Sequence, residues 1–324
     1  MKNGTAFVLF AILLVSCSKS DTDTPAEVRD YKQDMRNFVI GISQYAKAID
    51  PSFAVIPQNG IELVTTNGQE NGSPAMAYLE AIDGNGQEDL NFGYDNDDVA
   101  TPGAVTSYLK TFLDISHNNG NAILSTDYCS THSKMDMSYD INNAFGYISF
   151  AASVRALNVI PDYPTSIYNE NNSNVTTLQQ AKNFIFYVNP ENYPNKTAFI
   201  DAVKATNYDA LILDLFYEGI ALTATEIDSL KVKANGGSRL VICYMSIGEA
   251  EDYRYYWNPD WAINKPEWLK AENPNWPGNY KVQYWNSDWQ HIIYGNNDSY
   301  LKKITDAHFD GVYLDIIDAF EYFE

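Results

Sequence analysis

Metal and thiol chemistry have little to work with in this sequence. It has 3 Cys and 4 His among 324 residues. His117, His132, His291 and His308 share no ligand spacing, so no metal centre is expected. Cys129 and Cys243 each lie inside an apolar run and read as buried thiols, not as a disulfide framework. Basic residues are also few: 21 Lys and Arg face 42 Asp and Glu, a formal net charge of −21. That balance argues against nucleic acid as a partner. It favours a cationic substrate, although acidity also serves solubility. No Gly-x-Ser-x-Gly elbow is present, which disfavours a serine esterase. No Gly-rich phosphate loop follows a strand. No cofactor is therefore expected.

What is present begins with an export signal. Lys2 and the apolar stretch from Ala6 to Val15 read as a secretion signal, too short to span a membrane. Leu14-Val15-Ser16-Cys17 resembles a bacterial lipobox. Residues 1–16 are then a removed signal, Cys17 the lipidation site and 17–29 a polar tether. An ordinary signal peptide with a chance cysteine is the alternative. The expected location is outside the cytoplasm, on the periplasmic side or cell surface, as a lipid-anchored monomer.

From residue 30 the chain alternates. Tyr31, Met35, Phe38, Val39, Ile42, Tyr45, Ala46 and Ile49 fall at helical spacing. Short β-prone runs stand near residues 53, 80, 123, 148, 186, 212, 243 and 314, with helical segments between most of them. Strands alternating with helices imply a parallel sheet with right-handed crossovers. Eight such units over residues 30–324 predict a single α/β domain, a (β/α)8 TIM barrel. Two smaller α/β domains divided near residue 165 are the alternative, because 161–177 reads as a long loop with little periodicity. The polar run Asp83-Gly84-Asn85-Gly86-Gln87-Glu88-Asp89 reads as a loop near an active site. The order is unusual for a barrel: helix first, strand last. A break between one strand and its own helix would explain it.

Carboxylates stand at the ends of several runs. They are Asp214, Glu249 and Asp315 in the second half, with Asp127, Glu88 and Asp89 in the first. On barrel strands they would converge on one face. Two carboxylates without a metal, beside abundant aromatics (24 Tyr and 6 Trp), suit glycoside hydrolysis. One carboxylate attacks or orients water, and the other protonates the leaving oxygen. A single Asp after a strand is as often a turn residue.

Several stretches resemble a known family. Tyr244-Met245-Ser246-Ile247-Gly248-Glu249-Ala250-Glu251-Asp252-Tyr253-Arg254 is similar to a signature of the endo-α-1,4-polygalactosaminidases, glycoside hydrolase family 114. Glu272 to Val282, Phe309 to Asp318, Val55 to Gly60 and Ile82 to Leu90 resemble its bacterial branch, once labelled as related to cysteinyl-tRNA synthetase. The resemblance implies a TIM barrel acting on an α-1,4-linked, partly de-acetylated galactosamine polymer. The matching segments stand in a rotated order, with those usual for the family's later part at this N-terminus. That implies a circular permutant whose family ends are joined through 161–177. By the same resemblance, Asp315 matches the nucleophile position and Glu88 the general acid, with Glu249 as rival acid. Glu249, Asp214, Tyr244, Asn59, Gln58, Asp127 and Asp89 would then line the sugar subsites. Two other readings stay open: a carbohydrate-binding lipoprotein on an inactive barrel, and a different enzyme on the same fold.

Overall fold

A computed structural model describes residues 29–324. The expected signal, the expected lipidation site Cys17 and almost all of the expected tether lie outside these residues. The fold is α/β, and Tyr31–Glu324 forms one compact unit. Helix α1 (Tyr31–Ile49) buries Met35, Phe38, Val39, Ile42 and Ala46 along one face, as its spacing predicts. Eight parallel strands follow: β1 (Ala54–Pro57), β2 (Gly84–Glu88), β3 (Ala122–Tyr128), β4 (Ile148–Ala152), β5 (Phe184–Tyr187), β6 (Ala210–Leu213), β7 (Leu240–Ser246) and β8 (Gly311–Asp315). They are nearly continuous buried runs, as strands covered on both faces must be. Helices α2 (Met76–Leu79), α3 (Gly103–Asn118), α4 (His132–Ala144), α5 (Lys196–Lys204), α6 (Ala224–Leu230), α7 (Ser287–Ile293) and α8 (Tyr300–Asp306) come from the connections.

The strands form two parallel sheets, ordered β1-β8-β7-β6-β5 and β2-β3-β4. At one seam a parallel bridge joins Gln58 to Gly86, just beyond β1 and within β2. At the other, β4 lies against β5, with the Phe150 and Phe184 rings 5.7 Å apart. The last strand, β8, pairs with the first, β1, from Ala54↔Gly311 to Pro57↔Leu314. Beside this seam the Tyr31 ring of α1 stacks on Phe323 at 5.7 Å.

The second strand differs from expectation. The polar run is not a loop but β2, and it is buried. Its small and amide residues are what make burial possible. A Cβ on Gly86 would stand 1.9 Å from the Tyr313 hydroxyl, so only glycine leaves room for that ring. Asn85 Oδ1 accepts from Ser116 of α3 at 2.5 Å, which satisfies the oxygen of this buried amide, while its Nδ2 has no protein partner. The strand expected near residue 80 is instead the end of α2 and a turn. The loop at 161–177 docks on α4: Tyr163 stacks on His132 at 3.7 Å and Tyr168 on Tyr139 at 4.7 Å. Beyond β7, Glu249–Glu251, Leu269–Glu272 and Asn279–Val282 form a small antiparallel sheet. Trp268 and Trp289 of this aromatic region are buried, whereas Trp276 is 62% exposed. Among the described residues, no helix is long and apolar enough to cross a membrane.

Candidate active site

A cleft of about 360 Å³ opens where the parallel strands end. Asp315, the last residue of β8, and Glu88, the last of β2, both line it, on either side of Gln58 and Asn59 after β1. Three of the turns that follow these strands are left-handed. Asn59, Asp89 and Ile316 have φ of 59°, 57° and 57°. Asn and Asp tolerate this region. A β-branched Ile does not, at a cost of about 1–3 kcal/mol. The turn at Ile316 gives something in return: its N–H donates back to Asp315 Oδ1 at 2.8 Å. The Tyr244 hydroxyl of β7 donates to Asp315 Oδ2 at 2.6 Å. Burial, reinforced by the charge of Glu88, raises the Asp315 carboxyl to about 7, against the pull of these two donors.

Glu88 is held as closely. Asn59 Nδ2 donates to its Oε2 at 3.1 Å, and the Tyr128 hydroxyl donates to its Oε1. Asn59 Oδ1 in turn accepts the Glu88 N–H at 3.1 Å. Gln58 is buried and also lines the cleft.

The other carboxylates divide. Asp214 lines the cleft but is paired: it accepts from Arg254 at 2.8 Å and from the Phe216 N–H at 2.7 Å. Arg254 also donates to Glu251 at 2.6 Å, so one cation serves the buried Glu251 and the partly buried Asp214. Glu249 lines the cleft wall and is 2% exposed. Its Oε1 accepts from Asn273 at 2.8 Å, while its Oε2 is buried with no protein partner. Burial raises its carboxyl above the usual range. Asp318, one turn beyond Asp315, is raised to about 7 by burial and by Glu321.

Asp127 is not part of the cleft. It is fully buried and accepts from the N–H groups of Asn91 and Phe92 and from Asn91 Nδ2, at 2.7, 3.2 and 3.0 Å. Ser138 and Asn142 of α4 also donate to it. It ties the turn after β2 to α4, on the side of β3 away from Glu88. Asp89 does not line the cleft either. Both of its oxygens accept from Arg155, at 2.9 and 3.2 Å. Burial raises its carboxyl to about 6, and Arg155 opposes that. Sequence reasoning missed Tyr128, Arg155, Glu251, Asp318 and the wall residue Phe186, all of which line the cleft. Tyr128 could have been found by alternation, because it shares a strand face with Thr126, the register partner of Glu88. Nothing local marks Arg155. Among the described residues, no group of three His, Cys, Asp or Glu side chains is placed to hold a metal ion.

Paired carboxylates at the ends of parallel strands, in a cleft walled by tyrosines, are the equipment of a glycoside hydrolase. Residues 174–324 match the model of glycoside-hydrolase family GH114. The "Uncharacterized protein MJ1477" of Methanocaldococcus jannaschii is 40% identical over 155 residues, 47% of this chain and 42% of that protein. An uncharacterized protein of Thermotoga maritima is 38% identical over 120 residues, 37% of this chain and 36% of its own. One of Deinococcus radiodurans is 36% identical over 122 residues, 38% and 37% of the two chains. The chain thus spans less than half the length of each of these relatives. The matched half holds Asp214, Tyr244, Glu249 and Asp315. Glu88, Asn59, Tyr128 and Arg155 lie in the other half.

Proposed function

We propose that the cleft hydrolyses an α-linked amino-sugar polysaccharide, similar to polygalactosamine, with Asp315 as nucleophile and Glu88 as general acid and base. The observation that carries this reading is the pairing of these two carboxyls in one cleft, each with both oxygens hydrogen-bonded. In the reactive form a proton is on Glu88 and the charge on Asp315, where Tyr244 and the Ile316 N–H stabilise it. Asp315 attacks the anomeric carbon as Glu88 gives its proton to the departing glycosidic oxygen. Glu88 then takes a proton from water, which attacks the glycosyl ester and frees Asp315. The paired Asp214, already neutralised by Arg254, shapes the cleft, and Gln58 and Asn59 sit between the reacting groups.

The acidic wall supports a cationic glycan. Glu249 and Asp318 add carboxyls to it, in a chain of net charge −21. Trp276, exposed at the mouth, offers a face on which a sugar ring can stack. The order of the strands supports a single circularly permuted (β/α)8 barrel, with β8 beside β1 and the two seams closing the ring. A solved structure of a family member in the usual segment order, superposed unit by unit, checks the permutation. Export and anchoring through Cys17 rest on the sequence alone.

The test is release of reducing ends from α-1,4-linked galactosamine polymer, de-N-acetylated and N-acetylated. Release from the first, well above the second, is expected; release from neither overturns the reading. In the same assay Trp276→Ala raises KM about five-fold, the weight of one ~1 kcal/mol stacking contact. An unchanged KM removes Trp276 from the binding path.

A further inference from the structure

We propose that Arg155 is a positioning residue for Glu88, acting through the ring of Tyr128. The inference rests on the reading of Glu88 as a catalytic carboxylate. Two groups hold that carboxylate, and they are secured differently. Asn59 is locked by the backbone, since its Oδ1 accepts the N–H of Glu88 itself. The Tyr128 hydroxyl can only be as well aimed as its ring. That ring carries the guanidinium of Arg155 on one face, with Cζ 3.9 Å from the centroid.

Arg155 follows β4 and is partly exposed, a setting in which a long side chain ordinarily swings freely. Here four hydrogen bonds hold it. Nε donates to Asp97 at 2.7 Å. Nη1 and Nη2 donate to the two oxygens of Asp89 at 3.2 and 2.9 Å, and Nη2 donates to the Gly93 carbonyl at 2.9 Å. Together they fix the plane of the fork, which a compact ammonium group could not offer. The loop that supplies them is shaped to do so. Asp89 is left-handed, and Gly93 has φ of 118°. A Cβ on Gly93 would stand 2.0 Å from Asp89 Oδ1 and 3.0 Å from Arg155 Nη2.

The effect on chemistry follows from elementary electrostatics. A cation over the face of a phenol is attracted to the ring and draws electron density from it. The hydroxyl becomes a stronger donor, and its direction is set by the stacked plane. Both changes act on Glu88 Oε1. The other arginine lining the cleft, Arg254, is committed to Asp214 and Glu251. On the Glu88 side, Arg155 carries the positive charge. The arrangement joins the loops after β2 and β4 to the end of β3, and its product is the orientation of one carboxylate.

A double-mutant cycle on the galactosamine polymer tests this. Arg155→Met is expected to lower kcat about ten-fold, with KM within about two-fold, the loss of one well-aimed hydrogen bond. Tyr128→Phe should cost a similar factor. If Arg155 acts through the ring, the double variant is no worse than Tyr128→Phe alone. Losses that multiply to about a hundred-fold overturn the proposal, as does a rise in KM alone, which would mean direct contact with the glycan. Should Arg155→Met fail to fold, Arg155→Lys keeps the charge without the flat stack. It is expected to lose most of the same factor, and wild-type kcat in that variant overturns the proposal. A crystal structure of Arg155→Met decides the matter even if the polymer is not a substrate. A Tyr128 hydroxyl displaced from Glu88 supports the proposal; one still seated on Oε1 overturns it.

Discussion

Asp315→Asn abolishes hydrolysis and at the same time raises the melting temperature at pH 8. The first effect is the loss of the attacking group, expected to lower kcat by about 10⁴-fold or more, at the upper end of what one positioned side chain contributes. The second comes from burial. The Asp315 carboxyl is raised to about 7 in the fold, whereas an aspartate in an unfolded chain titrates near ~3.9. The folded state therefore holds this proton to higher pH than the unfolded state does. Below about pH 4 both states are protonated and the group costs nothing. Between about 4 and 7 the unfolded chain releases the proton first, and stability falls as pH rises. Above about 7 the full cost is present, at most roughly 4 kcal/mol for a shift of this size. Asparagine has no charge to bury. The variant gains several degrees over the wild type at pH 8 and little at pH 4. A lower melting point than the wild type at pH 8 would show that the hydrogen bonds from Tyr244 and Ile316 outweigh the desolvation of the charge.

Gly248→Ala is the second large effect, and it strikes stability and activity together. A Cβ at this position would stand 2.0 Å from the Ile316 carbonyl oxygen and 2.7 Å from Ala319 Cβ. The first contact is with backbone, so no side-chain rotation relieves it. Something must shift, and the nearest thing is the strained left-handed residue whose N–H holds Asp315. Overpacking of this kind costs about 1–3 kcal/mol. Displacing a reacting group by about 1 Å can cost 10²-fold in rate. Gly103→Ala is the matched control: its Cβ meets nothing within 4 Å, at the first position of α3. It should be neutral or slightly stabilising, because alanine gives up less freedom in a helix than glycine. Thermal unfolding and kcat of the two variants, side by side, check the argument. Wild-type behaviour in Gly248→Ala would mean that the turn around Ile316 is free to move.

Asp127 and Glu88 show why a strand-end carboxylate is a weaker clue than it looks. Both stand where a β-run ends. Side chains alternate across a strand, so a shift of one residue sends a carboxylate to the opposite face. In β3 the residue facing the cleft is Tyr128, and Asp127 is turned toward α4, where Ser138 and Asn142 donate to it. The polar run before Leu90 misleads for a related reason. Local composition says loop, because Asp, Asn and Gly are turn formers. Its burial depends on distant partners, the Tyr313 ring over Gly86 and Ser116 beside Asn85.

The chain by itself determined the elements whose pattern is local. The apolar stripe of α1, the buried runs of β5 to β8 and the capping box at Thr223 and Glu226 each satisfy their own hydrogen bonds or bury their own face. It also placed Asp315 at a strand end and carried the signature around Gly248 and Glu249. Tertiary structure alone decided which of six carboxylates face one another. It neutralised Asp214 with Arg254, enlisted Asp89 to hold Arg155, and brought Arg155 onto Tyr128. Those outcomes depend on the parity of each strand against its neighbours and on the paths of loops between them. Neither is written in any short stretch of residues, because both are set by what packs on the far side.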